Sequence, residues 1–237
     1  MSWLTDIMAK YLPKRGTDLL VPVTGHPQDL EPLAVYDIDP EGWLRGPGVV
    51  HVPSARNSAL TTPRREPWGI VWHYTATDLG TAKSLAKRIV KTPGPNDRAA
   101  SWHVLLAADG TVYQSVSFKR GSWHCKEGRL GTHRINASTV GIEMEGHGRP
   151  MDFTPALIEN ATRLVVALVA EYDMRADRVD LQHGNLDPQR RDDAGVHFAR
   201  YVLPGILEQA YHGRPQPTDA VVTAQLRGQT PPYPQGD

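Results

Sequence analysis

The stretch GIVWHYTAT, Gly69 to Thr77, decides the fold. It is apolar and rich in β-branched residues, the mark of a strand buried in a sheet, and it carries one polar ring, His73, near its end. Far downstream a second apolar run, with Val179 and Leu181, reads as a short strand that delivers His183 to a sheet end. It leads into HGNLDPQRRDD, His183 to Asp193, where an imidazole, a loop proline, two adjacent arginines and a carboxylate follow in close order. Pro188 bends the backbone there, so Asp193 can return toward the imidazole. Nitrogen and oxygen donors of this kind suit zinc, and a catalytic zinc takes three protein ligands and keeps one position open. His183 and Asp193 supply two, and the best candidate for the third is His73. A lone histidine in an apolar strand is more often a satisfied core residue than a ligand. The pairing with His183 and Asp193 is what reverses that reading.

Outward from these two stretches, strands and helices alternate. Thr77 or Asp78 can cap a helix running to residue 92, with Ala82, Leu85, Ala86, Ile89 and Val90 facing inward. SWHVLLAADGTVYQSVS, Ser101 to Ser117, reads as two strands joined at Asp109-Gly110, a strong hairpin signal. Residues 117–136 are loop-like and hold Trp123, His124 and Cys125. STVGIEMEG, Ser138 to Gly146, is another strand, presenting Glu143 and Glu145 on one side by period-two alternation. Thr154-Pro155 opens a long helix to about Tyr172, and a last helix over 197–211 is interrupted by Pro204. The class is α/β, with a central mixed sheet flanked by helices.

Composition narrows the partners. The 237 residues suffice for one good core with appendages. With 26 basic and 26 acidic side chains the formal charge is zero, which argues against a nucleic-acid partner. Twenty prolines and 21 glycines indicate long loops. A single cysteine, Cys125, excludes an intrachain disulfide and a cysteine metal cluster, and reads as a small packing residue. The beginning of the chain lacks the features of a secretory signal, so synthesis in the cytoplasm is expected. Nothing in the chain calls for more than a monomer.

The ends are less informative. Residues 2–12 set Trp3, Leu4, Ile7, Met8, Tyr11 and Leu12 on one helical stripe with Ser2 as N-cap. The stripe is expected to pack on the main domain, since few charges flank it to favour a membrane surface. Residues 13–65 are rich in proline and glycine and read as an extended arm. Residues 213–237 read as a proline- and glutamine-rich tail. The expected division is therefore an N-terminal helix and arm over 1–65, a catalytic domain over 66–212 and a tail over 213–237.

A zinc hydrolase also needs a group that takes the water proton and passes it to the leaving nitrogen. Glu143 lies in an apolar strand, where desolvation raises a carboxyl pKa toward useful values. Glu145 shares that face, and spacing alone does not separate the two.

WHYTAT, SWHVLLAADGTVYQ, GSWH, STVGIEMEG and HGNLDPQRRDDAG, in this order, resemble the zinc-dependent N-acetylmuramoyl-L-alanine amidases of the type-2 amidase family, whose fold is shared with peptidoglycan recognition proteins and phage lysozyme-type amidases. The resemblance covers roughly residues 66–212. It implies a groove that holds peptidoglycan, and cleavage of the amide between the lactyl group of muramic acid and L-alanine. It assigns zinc to His73, His183 and Asp193, with Asp192 the alternative third ligand because DDAG replaces the usual DPG. It assigns the catalytic carboxylate to Glu143 and oxyanion stabilisation to Arg191, which stands where the family often has lysine. Trp102 occupies a position where lysozyme-type members place a tyrosine, which leaves the proton work to Glu143. Trp123 and His124 match a substrate-groove motif, with His103 on a neighbouring strand. The long N-terminal segment favours a phage endolysin, which acts on the cell wall. A cytoplasmic muropeptide-recycling enzyme and a metal-free binding module are the alternatives.

Overall fold

A computed structural model of the chain describes residues 36–53, 66–89, 100–125, 128–130, 132–187, 189 and 192–211. The expected helix over 2–12, most of the arm, the tail and Arg191 lie outside these residues.

A six-stranded sheet in the order β10-β4-β9-β5-β6-β3 forms the centre. Its strands are β3 (Val49–His51), β4 (Gly69–Tyr74), β5 (Val104–Leu106), β6 (Val112–Gln114), β9 (Thr139–Met144) and β10 (Leu181–Gln182), while β7 (Arg129–Leu130) and β8 (His133–Arg134) pair only with each other. β10, β4, β9 and β5 run parallel, β6 turns back antiparallel to β5, and β3 lies parallel to β6. β4 and β9 are covered on both faces, which is why each reads as a near-continuous apolar run. The β5–β6 hairpin turns at Gly110, whose φ of +88° suits a residue without a Cβ. The Asp109 carboxylate accepts the Thr111 amide there at 2.8 Å.

Period-two alternation decides what each face carries. Ile70, Trp72, Ile142 and Met144 point into the main core. There they meet α3 (Pro155–Tyr172) and the C-terminal helix α6 (Leu203–Ala210), through Leu157, Leu164, Leu168 and Ile206. Thr154 caps α3 by accepting the Leu157 amide at 3.2 Å, with Pro155 in the first turn where its missing N–H costs nothing. The opposite face is covered in two smaller patches. α1 (Ala82–Ile89) sits over Leu105 and Tyr113, while Val71 and Leu181 pack with Ile135 and Leu186. His73 and Glu143 alternate onto this second face. The site therefore lies on the more thinly covered side of the sheet.

Three expectations change. The stretch read as an arm supplies strands: β1 (Asp37–Ile38) pairs with β2 (Leu44–Arg45), and β3 pairs with β6 in the main sheet. Its prolines and glycines hid three very short elements, each too brief to show a period. Helix α1 begins at Ala82 rather than Thr77 or Asp78, because Gly80 takes φ +84° and the Thr77 hydroxyl bonds Thr75 and Thr81. Ahead of Pro204, residues Phe198–Val202 widen into a π-helical turn before α6 resumes. A proline ring displaces the carbonyl four residues earlier, and a wider turn accommodates it.

Candidate metal centre

Strand register assembles the site. β10 pairs with β4 so that Leu181 faces Val71 and Gln182 faces Trp72, and His183 follows beside His73. On the other side of β4, Glu143 of β9 is the direct partner of His73. Three chemically competent side chains thus sit in one row across adjacent strands, at the carboxyl ends of parallel strands where open α/β sheets bind their ligands. After β10 the chain makes one helical turn, α5 (His183–Leu186), and Asp193 returns to the row. Its carbonyl accepts the Gly184 amide at 2.5 Å, closing the loop onto itself.

His73 Nδ1 lies 3.0 Å from His183 Nδ1. Asp193 Oδ2 is 2.8 Å from His183 Nδ1 and 3.4 Å from His73 Nδ1. Ligands about 2.0–2.1 Å from a tetrahedral zinc stand roughly 3.3 Å apart, so the three separations match one face of such a site. Two imidazole nitrogens and one carboxylate are also a donor set of the catalytic zinc type, with room left for a fourth ligand. The converging oxygen belongs to Asp193, which is buried, whereas the neighbouring Asp192 is exposed on the cleft wall. The Tyr74 amide donates to the other Asp193 oxygen at 2.8 Å and fixes the carboxylate plane.

Burial opposes ionisation of Asp193. The hydrogen bonds it accepts, from His183 first and from the Tyr74 amide, outweigh it and hold the carboxyl well below its usual range. The third ligand is therefore anionic at neutral pH, as coordination requires.

The ligands open into a cleft of about 600 Å³, walled by Trp102, Trp123 and Leu85 and lined by Glu143 and His124. Trp102 and Trp123 keep buried indole nitrogens with no hydrogen-bond partner among the described residues. Arg88, Ser101 and Gln189 also face this space. Nothing in the sequence singles them out, since each is an ordinary polar residue of a helix or loop.

Glu143 and Glu145 separate clearly. Glu143 is half-buried and faces the cleft. Glu145 is buried, and its carboxylate accepts the Ala82 amide at 2.6 Å and the Ala108 amide at 2.8 Å. One oxygen thus satisfies a free N–H at the start of α1, and the other ties the end of β5. Spacing could not reveal this, because the partners are two distant backbone amides.

Of the two histidines assigned to the substrate groove, only His124 lines the cleft. His103 is fully buried: its Nδ1 accepts the Gly141 amide at 2.9 Å and its Nε2 donates to the Arg120 carbonyl at 2.8 Å. It is a structural tie beneath the loop that carries Trp123, and the expected contact with substrate is withdrawn. His124 borders the cleft but also meets His73 Nε2 at 3.1 Å and Thr139 Oγ1 at 3.1 Å. Cys125 packs partly buried beside the Val71 and Leu181 patch, held by two backbone bonds to the Asn136 side chain.

The fold and the row of donors make a candidate metal centre in an α/β sheet, and comparison with known proteins gives the family. Residues 63–196, more than half of the chain, match the family described as N-acetylmuramoyl-L-alanine amidase, and the chain belongs to it. It is 32% identical over 99 residues to the 1,6-anhydro-N-acetylmuramyl-L-alanine amidase AmpD of Salmonella typhimurium, covering 41% of this chain and 52% of that protein. It is 29% identical over 145 residues to the N-acetylmuramoyl-L-alanine amidase AmiD of Escherichia coli, covering 54% of this chain and 49% of that one. The chain thus spans about half the length of the curated relatives it matches. Among solved structures, an AmpD selenomethionine derivative superposes with a TM-score of 0.57 at 23% identity, over 71% of this chain and 98% of that one. The PlyG catalytic domain superposes at 0.51 and 16% identity, over 72% and 98%. These likenesses establish the fold.

Proposed function

We propose that the protein is a zinc-dependent amidase that cleaves the bond between N-acetylmuramic acid and L-alanine in peptidoglycan. The observation that carries this reading is the convergence of His73, His183 and Asp193 beside Glu143, at the floor of a cleft walled by tryptophans. Family membership supplies the bond to be cut. Zinc held by the three ligands would supply Lewis acidity, toward both water and an amide carbonyl.

The remaining work falls to side chains of the chain itself. Asp193 and the two imidazoles would hold the metal at the floor of the cleft. Glu143, beside His73 in the sheet, takes the proton of the attacking water and delivers it to the leaving alanine nitrogen. Trp102 and Trp123 present flat apolar walls that position the substrate and exclude water. Arg191 is the proposed stabiliser of the oxyanion, by charge and hydrogen bonding rather than proton donation.

A wall-lytic role of the endolysin kind is the proposed setting, with synthesis in the cytoplasm and action on the cell wall. Its support is the length of chain that precedes the family match, which begins at residue 63. That support is reduced by residues 36–53, which belong to the fold. A second reading, hydrolysis of soluble anhydro-muropeptides, is favoured by the naming of several relatives as 1,6-anhydro amidases. No helix among the described residues is long and apolar enough to cross a membrane. Rates on intact sacculi and on soluble anhydro-muropeptides decide between the settings. Faster release of L-alanine amino termini from sacculi supports wall lysis, and preference for the soluble fragments overturns it.

A further inference from the structure

His73 is one partner in a run of hydrogen bonds whose direction is set at its far end. The Thr139 hydroxyl, buried, has a single proton and donates it to the Ile135 carbonyl at 2.7 Å. Toward His124 Nε2, at 3.1 Å, the same oxygen therefore acts as acceptor, and His124 Nε2 carries the proton. A neutral imidazole protonated there has a bare Nδ1. That bare nitrogen accepts from His73 Nε2 at 3.1 Å, so the His73 proton sits on Nε2 and its Nδ1 presents a lone pair rather than a proton. This is the nitrogen that faces His183 and Asp193.

We infer that the relay from Ile135 through Thr139 and His124 fixes the tautomer of His73, making His124 and Thr139 positioning residues for the metal. The inference rests on the metal reading above and goes beyond it by giving His124 a task other than holding substrate. Gly141 supplies independent geometric support. Its φ is ordinary, yet a Cβ there would lie within 3.0 Å of three His124 atoms. The strand gives up a side chain at that point, and His124 packs close against its backbone, within reach of both His73 and Thr139. His183 differs: among the described residues its buried Nε2 has no partner, so this relay orients only one of the two imidazoles. Hydrogen bonds from the outer nitrogen of a metal-bound histidine set its orientation and basicity, and losing one typically costs about 10–100-fold in metal affinity.

The test is zinc affinity by chelator competition on the purified chain, wild type beside Thr139→Ser, Thr139→Val, His124→Asn and His124→Leu. Thermal unfolding of each metal-free protein serves as the folding control. Long-range proton–nitrogen spectra of the imidazoles report the tautomers directly. Thr139→Ser keeps the hydroxyl and His124→Asn keeps an acceptor near Nδ1, so both should stay within about threefold of wild type. Thr139→Val should bind zinc about tenfold more weakly and show His73 as a mixture of tautomers, and His124→Leu should lose more. Equal zinc affinity and an unchanged His73 tautomer across all variants would overturn the relay alone. A wild-type chain that binds no zinc would overturn the metal reading and this inference with it.

Discussion

His73 and His183, separated by 110 positions in the chain, face each other Nδ1 to Nδ1 at 3.0 Å. The parallel pairing of β10 with β4 brings them side by side. Asp193, ten positions after His183, closes the triangle at the strand end, where the Tyr74 amide fixes it. Strand register and loop closure therefore act together to form the three-ligand face.

Replacing any one of the three should remove the metal. His73→Ala, His183→Ala and Asp193→Ala are each expected to lower bound zinc from one equivalent to a small fraction, read by atomic absorption after dialysis, and to reduce turnover at least about 100-fold. Asp192→Asn should keep zinc, since that side chain is exposed and outside the triangle. Loss of zinc from Asp192→Asn with retention in Asp193→Ala would reverse the assignment.

Glu143→Gln separates binding from chemistry. The amide keeps the size of the carboxyl but cannot take the water proton, so turnover should fall by about 10²–10⁴. Zinc stoichiometry should remain at one. Full activity in this variant would remove Glu143 from the mechanism.

Glu145→Ala should behave as a stability variant. It strands the Ala82 and Ala108 amides, and a buried donor left unpaired costs about 1–3 kcal/mol. A lower unfolding midpoint is expected, with the active-site fraction of the folded protein retained at low temperature. An unchanged midpoint would show that both amides find other partners.

Asp180 gives a pH signature of stability. Burial pushes its carboxyl up to about 7 against a smaller opposing hydrogen bond from Gln182. The folded state thus holds a proton that the unfolded chain releases near 3.8. Stability contributed by this group is full below that value, falls as pH rises, and levels off above about 7. Asp180→Asn should flatten that slope and gain about 1 kcal/mol at pH 8, a figure discounted from the full shift because the residue is only partly buried. Denaturant unfolding at pH 4 and pH 8 measures both. Identical pH dependence in the two proteins would contradict the shift.

How far the sequence carried the fold depends on element length. β4, β9 and α3 were legible because their runs are long enough for burial or periodicity to show, and the hairpin because Asp109-Gly110 announces its turn. β1, β2 and β3 were hidden, since two or three residues between glycines and prolines show no pattern. At the site, the three candidate ligands that the fold brings together could be nominated from residue type and order. The settings of Glu145, His103 and His124 could not, because their partners are backbone atoms or side chains brought together only by folding. A glycine inside an apolar strand, as at Gly141, marks a close approach, and here the approaching group is the His124 ring.

The most direct test of the central claim is amide hydrolysis of purified peptidoglycan before chelation, after chelation, and after zinc is restored, with analysis of the ends released. Free L-alanine amino termini are expected with no new reducing sugar ends, their release abolished by chelator and recovered on adding one equivalent of zinc. Undiminished release of those termini from metal-free protein would contradict it, as would zinc bound at His73, His183 and Asp193 with no cleavage of either sacculi or soluble muropeptides.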